Sequence, residues 1–298
     1  MNRSDIKVLQ INLNRSQYAT ESTLQYTVEN KIDIILVQEP WLYNDDNNDY
    51  INSRSINHQG FIQLKPKSPP LLRPRTLAYI VKNHDFDINL SSISPNDPDL
   101  LIIDITSGQF DCQLINIYNE SDQGNSTPRL KTLERVLYLL FETNILSPNT
   151  MILGDFNLYH IWWDPLILYE SPGAADLVEW IEDHNLNLLN KPGGTFYRPN
   201  LIRESTIDLT FTTNNLVSKI KDWSIIPSLG SDHFRITFTI SKQFSQISNP
   251  TISTTFNLEL ADWELFTKTL KVELNNYRVL NSDEFDNFTT DSIDILIN

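Results

Sequence analysis

Five short polar stretches of this 298-residue chain combine residue types that handle hard cations and phosphate. They are Asn12-Leu13-Asn14, Gln38-Glu39, Gly154-Asp155-Phe156-Asn157, Asp208 within Ser205-Thr206-Ile207-Asp208, and Ser231-Asp232-His233. Each lies at the tail or mouth of an apolar run, where a strand would carry its side chains to the rim of a sheet. Cleaving a phosphodiester requires a cation, a positioned water and a base, and little covalent chemistry from the protein. Carboxylates, amides and one histidine match that requirement, and the chain reads as a phosphoesterase.

Each stretch also has a purely structural reading. Glu39 follows the apolar run and meets Pro40, so it emerges at a strand's C-terminal end. A lone carboxylate there serves equally as a loop residue or a helix cap. Beside an amide such as Asn14 it suits Mg²⁺, which takes one or two carboxylate oxygens and keeps several waters. Asp155 and Asn157 lie two apart and share one side if the backbone is extended. That spacing fits a general base and a donor to phosphate oxygens, although Gly-Asp turns after buried strands are common without catalysis. His233 beside Asp232, within reach of Asp208, can be oriented and held cationic; the head of a strand is also an ordinary place for a histidine. Tyr118 ends an apolar strand as either a phosphate donor or an edge aromatic. His160, with Trp162, Trp163 and Asp164, follows the Asp155 turn, where aromatics either fill the core or stack on bases. The chain has no Gly-x-Ser-x-Gly elbow, phosphate-binding Gly-rich loop or Cys/His zinc spacing.

These residues need strands to position them. Runs at Lys7–Asn12, Ile32–Val37, Phe61–Leu64, Thr76–Val81, Leu100–Thr106, Phe110–Tyr118 and Met151–Leu153 predict strands, the second covered on both faces. Further strands are expected at Thr195–Tyr197, Thr206–Thr213 and Phe234–Ile240, the last alternating apolar and polar residues. Helices are expected around Thr20–Glu29, with Leu24 and Val28 inward, from Thr127-Pro128 through Leu140, and from Ser171-Pro172 past Leu177, Trp180 and Ile181. Two strand–helix–strand halves predict a four-layer α/β sandwich, two packed and mostly antiparallel sheets flanked by helices. Residues 1–240 would form that catalytic domain. Residues 241–298 would form a polar linker and a helical extension over Leu258–Leu274.

Composition narrows the setting. Hydrophobic residues make up 40% of the chain, enough for a substantial core. The single cysteine, Cys112, cannot form an internal disulfide and sits in an apolar run, as a buried thiol in a reducing compartment would. No signal-peptide core follows Met1, and no run approaches the ~20 apolar residues of a membrane span. The formal charge of −15 runs against the basic footprint of nucleic-acid binding. A divalent cation would invert the local potential. Lys65, Lys67, Arg73 and Arg75 offer a local basic patch or simply a solvated, proline-rich loop.

In order, the five stretches resemble the endonuclease/exonuclease/phosphatase superfamily. Leu9–Ser16, Val37-Gln38-Glu39-Pro40, Gly154-Asp155-Phe156-Asn157 with His160 and Trp163, Ser205–Thr210 and Leu229–His233 resemble the endonuclease domain of non-long-terminal-repeat retrotransposons. The likeness covers about residues 5–240, and implies the DNase I-like fold. It also implies that Asn14, Glu39, Asn12 and Asp232 hold Mg²⁺, with Mn²⁺ an alternative. Tyr118 would contact the scissile phosphate, Asp155 would orient or deprotonate water, Asn157 would bind phosphoryl oxygens, and Asp208 would pair with His233. Thr195, Ser205 and Thr206 would be supporting hydroxyls, with His160 beside the substrate. Many repair-type relatives carry Asp where this chain has Asn14, which lowers the charge of the cation site. Implied by the resemblance are nicking of DNA, nuclear residence with the cytoplasm as alternative, no membrane, and a partner in the reverse transcriptase region toward which Phe256–Phe266 would lead. An abasic-site nuclease or phosphatase of the superfamily, or a non-catalytic binding fragment, are the other readings.

Overall fold

In a computed structural model of the chain, the described residues are 5–43, 50, 53–69, 71–120, 133–135, 137–138, 146–198, 203–242 and 268. Their strands form two six-stranded sheets. The first contains β1 (Asp5–Asn12), β2 (Ile34–Gln38), β3 (Phe61–Leu64), β4 (Thr76–Val81), β11 (Ile220–Ile226) and β12 (Arg235–Ser241), in the order β11-β12-β1-β2-β4-β3. The second contains β5 (Asp87–Leu90), β6 (Leu100–Ser107), β7 (Phe110–Tyr118), β8 (Thr150–Asp155), β9 (Leu186–Leu188) and β10 (Asp208–Thr213), in the order β5-β6-β7-β8-β10-β9. Every sheet pairing is antiparallel except one in each sheet, β1 with β2 and β7 with β8.

Side-chain alternation decides the layers. Along β1, Ile6 and Val8 face the second sheet while Leu9 and Ile11 face outward, and all four are buried. A strand apolar on both faces must be covered on both. The outer cover is α1 (Gln17–Asn30), which packs Ala19 and Leu24 on Leu9, Ile11, Ile35 and Val37. Ser16 caps it by accepting from Ala19 N, and Lys31 closes it in a left-handed conformation. On the far side, α2 (Ala174–Asp183) sets Leu177, Trp180 and Ile181 against Ile115, Ile152 and Phe211. Helix, sheet, sheet and helix are the four layers expected. A short α3 (Asn214–Val217) follows β10.

The central gap is graded along its length. Ile6, Val8, Ile34, Leu36, Leu114, Met151 and Leu153 fill it with apolar bulk. One pleat further along the same strands stand Gln10, Gln38 and Asn116, all buried. Gln38 Nε2 donates to Asn116 Oδ1 (2.5 Å) and Thr210 Oγ1 to Gln10 Oε1 (3.5 Å), so amides bridge the sheets. One pleat beyond come Asn12, Tyr118 and Asp155. Buried polar groups must be paired, and the strands turn polar toward the end where chemistry is required.

Some expectations changed. Val28 is about half exposed, and Thr20, Thr23 and Thr27 share the inner face of α1 instead. Thr195–Tyr197 is not a strand: Phe196 makes only isolated bridges, to Ser205 and His233. Arg235, on the strand face opposite Ile236, is buried, with its guanidinium over the Tyr26 ring of α1 at 4.3 Å. Cys112 is buried and free. Helical residues occur at 133–135 and 137–138, inside the helix expected through Leu140, whose start lies outside the described residues. Apart from Lys268, which is helical, the expected C-terminal extension also lies outside them. Residues 1–244 group as one compact unit. No helix among the described residues is long and apolar enough to cross a membrane.

Candidate active site

The two parallel strand pairs end at the same rim. Asn12 is in register with Gln38, and Tyr118 with Asp155, at the C-terminal ends of β1, β2, β7 and β8. Parallel neighbours present their chain ends side by side, which is why sites in such sheets gather there. Antiparallel β10 brings Asp208 opposite Asp155, and His233 lies just before β12, the antiparallel partner of β1.

Asp155 is the hub. Its Oδ2 accepts from Asn12 Nδ2 (2.7 Å) and Asn157 Nδ2 (3.0 Å), and its Oδ1 from Asn157 N (3.0 Å). His233 Nε2 lies 3.9 Å from Asp155 Oδ2, and its Nδ1 is 2.9 Å from Asp208 Oδ2. Burial pushes the Asp155 carboxyl up to about 7, opposed by the His233 cation and reinforced by Asp208. For His233, burial works downward, but Asp208 against Nδ1, then Asp155 and Asp232, outweigh it and hold the ring cationic up to about 9. Burial, followed by the charges of Glu39 and Asp155, drives the Tyr118 phenol far above its ordinary range, so it stays protonated as a donor.

Backbone strain gathers here as well. Asn14, Glu39 and Asn157 have φ of 46°, 45° and 49°, uncommon for residues with a side chain. Glu39 does so although Pro40 follows. Such residues cost on the order of 1–3 kcal/mol each and cluster at functional sites. Asn157 therefore meets Asp155 through a left-handed turn, not through the extended spacing expected. Gly154 has a chain reason: a Cβ there would lie 1.9 Å from Ile117 O of the neighbouring strand.

The other expected residues divide into groups. Asn14 Nδ2 donates to Asp232 Oδ1 (3.1 Å), and its N–H to Asn12 Oδ1 (2.8 Å). Glu39 is 14% exposed and pairs with Arg15 Nη2 at 2.6 Å. The Thr195 hydroxyl accepts from Ile207 N and Asp208 N (3.1 and 3.0 Å), so it fixes the mouth of β10. Ser205 Oγ is buried without a hydrogen-bond partner, while Thr206 Oγ1 donates to Gly193 O (3.1 Å). His160 is turned within its own loop, with Nε2 3.4 Å from Glu170 and the ring against Trp163. The supposed basic patch disperses: Arg75 pairs with buried Asp99, Arg73 donates to Pro40 O, and Lys65 to Ser53 O.

Several contributors escaped sequence reading. Asn119 donates from N to Asp155 O (2.8 Å) and from Nδ2 to Phe156 O (2.6 Å), and its carbonyl accepts from Asn157 Nδ2 (2.7 Å). It follows Tyr118 directly, so its place at a strand's end was a usable signal. Arg75 accepts Glu39 N at its carbonyl (2.8 Å), grips Asp99 with both arms, and lies 5.0 Å over the Tyr118 ring.

Two sets of donors could take a cation. Among the described residues, Asp155, Asp208 and His233 bring ligand atoms within 4.8 Å of one another, and Asp208 Oδ1 is buried without a hydrogen-bond partner. A histidine held cationic repels a metal, so that trio suits anion handling better. At the mouth, Glu39, Asn14 and Asp232 offer the oxygen donors that hard cations require. A guanidinium already sits on Glu39, so positive charge is accommodated there.

Residues 112–237 match a family model described as endonuclease-reverse transcriptase. No curated protein matches the chain in sequence. Among solved structures, the endonuclease domain of TRAS1, a telomere-specific non-LTR retrotransposon, is similar over 79% of this chain and 98% of its own, with TM-score 0.63 and 20% identity. AP endonuclease LMAP from Leishmania major is similar over 80% of this chain and 88% of its own, with TM-score 0.58 and 14% identity. The 3'-5' exonuclease NExo from Neisseria meningitidis is similar over 79% of this chain and 100% of its own, with TM-score 0.56 and 16% identity. The likeness read from the five stretches is thereby borne out: the chain has the DNase I-like fold of these endonuclease structures, and residues 112–237 match the endonuclease-reverse transcriptase model.

Proposed function

We propose that the chain is a Mg²⁺-dependent DNA endonuclease of a non-long-terminal-repeat retrotransposon, nicking one strand to leave 3′-hydroxyl and 5′-phosphate ends. The observation that carries this reading is the meeting of Asp155, Asp208 and His233 at one rim, beside Asn12, Asn157 and Tyr118. Asp155 is the base. Its carboxyl loses a proton near the working pH, as general-base catalysis favours. It takes a proton from water as the water oxygen attacks phosphorus and the P–O3′ bond breaks. The departing 3′-oxygen takes a proton from solvent water and ends as a hydroxyl, and Asp155 returns its proton to solvent.

The His233 imidazolium, oriented by Asp208, faces charge developing on the phosphoryl oxygens, and the neutral Tyr118 hydroxyl donates to the same group. Asn157 and Asn12 hold Asp155 in place through their amides, and Asn157 turns a proton toward phosphate only by giving up one of its present partners. Thr195 fixes Asp208, while Ser205 and Thr206 shape the approach to β10. Mg²⁺ (or Mn²⁺) held by Glu39, Asn14 and Asp232, with Asn12 adjoining, would supply Lewis-acid polarisation and charge neutralisation. Residues 1–240 are the catalytic domain in this reading, residues 241–298 lead toward a reverse transcriptase region, and the substrate places the protein in the nucleus.

The test is nicking of supercoiled plasmid with Mg²⁺ and with chelator, beside Asp155→Ala and His233→Ala. Wild type should nick only with the cation, and either variant should lose about 10²-fold or more in rate. Equal activity in all four reactions would refute the proposal. Abasic DNA and inositol phosphates assayed in parallel separate this reading from a repair nuclease or a phosphatase.

A further inference from the structure

Residues 158–171 form a loop that starts immediately after Asn157 and carries apolar side chains outward. Ile161, Trp162, Leu166, Leu168 and Tyr169 are all exposed, Leu168 98% so. A cluster of this kind marks a contact surface.

The loop is held firmly. Ser171 N donates to Tyr159 O and Tyr159 N to Ser171 Oγ (both 2.9 Å), closing its base. Trp163 is buried and donates from Nε1 to Leu158 O (3.1 Å). Asp164 accepts from Arg203 Nη1 (2.9 Å) and from Thr206 N (3.3 Å), two residues before Asp208. The loop is thus tied to the end of β8 that carries Asp155 and to the approach to β10 that carries Asp208. Its tip stands no more than about 18 Å from the closure, the reach of half its residues fully extended.

Charge indicates what the tip meets. The chain carries −15, and Arg15, Arg75, Arg198 and Arg203 around the rim each already face a carboxylate. Phosphate neutralisation, the usual source of nucleic-acid affinity, therefore contributes little here. Base faces remain available to aromatic and apolar side chains whatever the charge, and they are accessible only where bases are unpaired or unstacked. We propose that this loop grips unpaired or unstacked bases of a nucleic-acid strand beside the cleavage cluster, an inference that rests on the nuclease reading above.

The experiment is fluorescence anisotropy of a labelled single-stranded oligonucleotide and its duplex, with chelator present, across a salt series. Wild type should prefer the single strand, with a log K against log salt slope shallower than about −2, the neutralisation of fewer than about three phosphates. Trp162→Ala and Tyr169→Ala should each weaken single-strand binding about tenfold without changing that slope. Leu168→Ser, at a position that touches nothing interior, should weaken it less and leave folding intact. Unchanged affinity in all three variants, or a steep wild-type slope, overturns the inference. So does loss, in the same variants, of binding to phosphatidylcholine–phosphatidylserine vesicles or of a dimer seen in sedimentation, with DNA binding intact. Plasmid nicking by wild type keeps the two readings apart: an enzyme that nicks while its loop variants bind normally loses only the loop inference. A protein that grips single strands through the loop but never nicks loses only the nuclease reading.

Discussion

In the proposed reaction Asp155 and His233 set opposing limits. The base must be ionised, which for Asp155 happens as pH rises through about 7. The imidazolium must keep its proton, which His233 loses as pH rises through about 9. Nicking rate should therefore trace a bell with limbs near those values, and the acid limb should move down as Mg²⁺ is raised, because added positive charge favours the carboxylate. Asp208→Asn removes the charge that most strongly raises His233, so its alkaline limb should fall to lower pH, and because Asp208 also raises Asp155 the acid limb should fall as well. An unmoved alkaline limb would remove Asp208 from its role. Arg15 is a separate case. Its guanidinium competes with any cation for Glu39, and a half-exposed pair of this kind contributes about 0.2–1 kcal/mol. Arg15→Ala should accordingly tighten Mn²⁺ binding, read by electron paramagnetic resonance without DNA, by about 1.4- to fivefold. Looser binding would mean that Arg15 supports the cation rather than opposing it.

Among elements, legibility followed burial. The runs that became β1, β2, β7 and β8 are apolar on both faces, so their sequence declares a strand without help from neighbours. Their polar ends were legible for the same reason, since an amide or carboxylate closing such a run has to go somewhere specific. Of the four edge strands only β3, expected and found at Phe61–Leu64, was legible. β5 and β9 are short, and β11 shifts register between Lys221 and Ser224 around Asp222 at φ 54°, which breaks the alternation that marks a strand. Phe196 went the other way: its β-rich surroundings suggested a strand, but its backbone serves two partners as single bridges. Asn119 and Arg75 were missed because their importance comes from what folding brings near them. Gly154 tests the β7–β8 pairing directly. Gly154→Ala adds a Cβ against Ile117 O at 1.9 Å and demands φ 152° of an alanine. Overpacking and backbone strain together should cost about 3 kcal/mol. For a domain of this size that lowers Tm by roughly 6–12 °C, measurable by calorimetry, and a variant as stable as wild type would mean the strands tolerate wider separation.

Across the molecule, the site exists only while the two sheets keep their mutual position, because Asn12, Glu39 and His233 come from one and Tyr118, Asp155 and Asp208 from the other. The Gln38–Asn116 amide pair and the Thr210–Gln10 hydroxyl–amide bond in the gap set that position near the rim, and an ion cluster fixes it at the edge. Arg75, just before β4 of the first sheet, grips Asp99, just before β6 of the second, at 2.5 and 2.6 Å. Arg135 adds a third contact to the same carboxylate at 2.6 Å. Asp99 is fully buried, so its removal leaves Arg75 without its main counter-charge and Arg135 with Asp97 alone, a kind of change that costs about 3–5 kcal/mol. The loss reaches the chemistry because Arg75 also holds the Glu39 backbone and covers the Tyr118 ring. Asp99→Ala should therefore lower Tm by roughly 6–20 °C and reduce nicking further than thermal unfolding explains. The comparison is rate at a temperature where circular dichroism shows the variant fully folded. Wild-type rate there would mean that the ion cluster holds the sheets together without aligning the residues they carry.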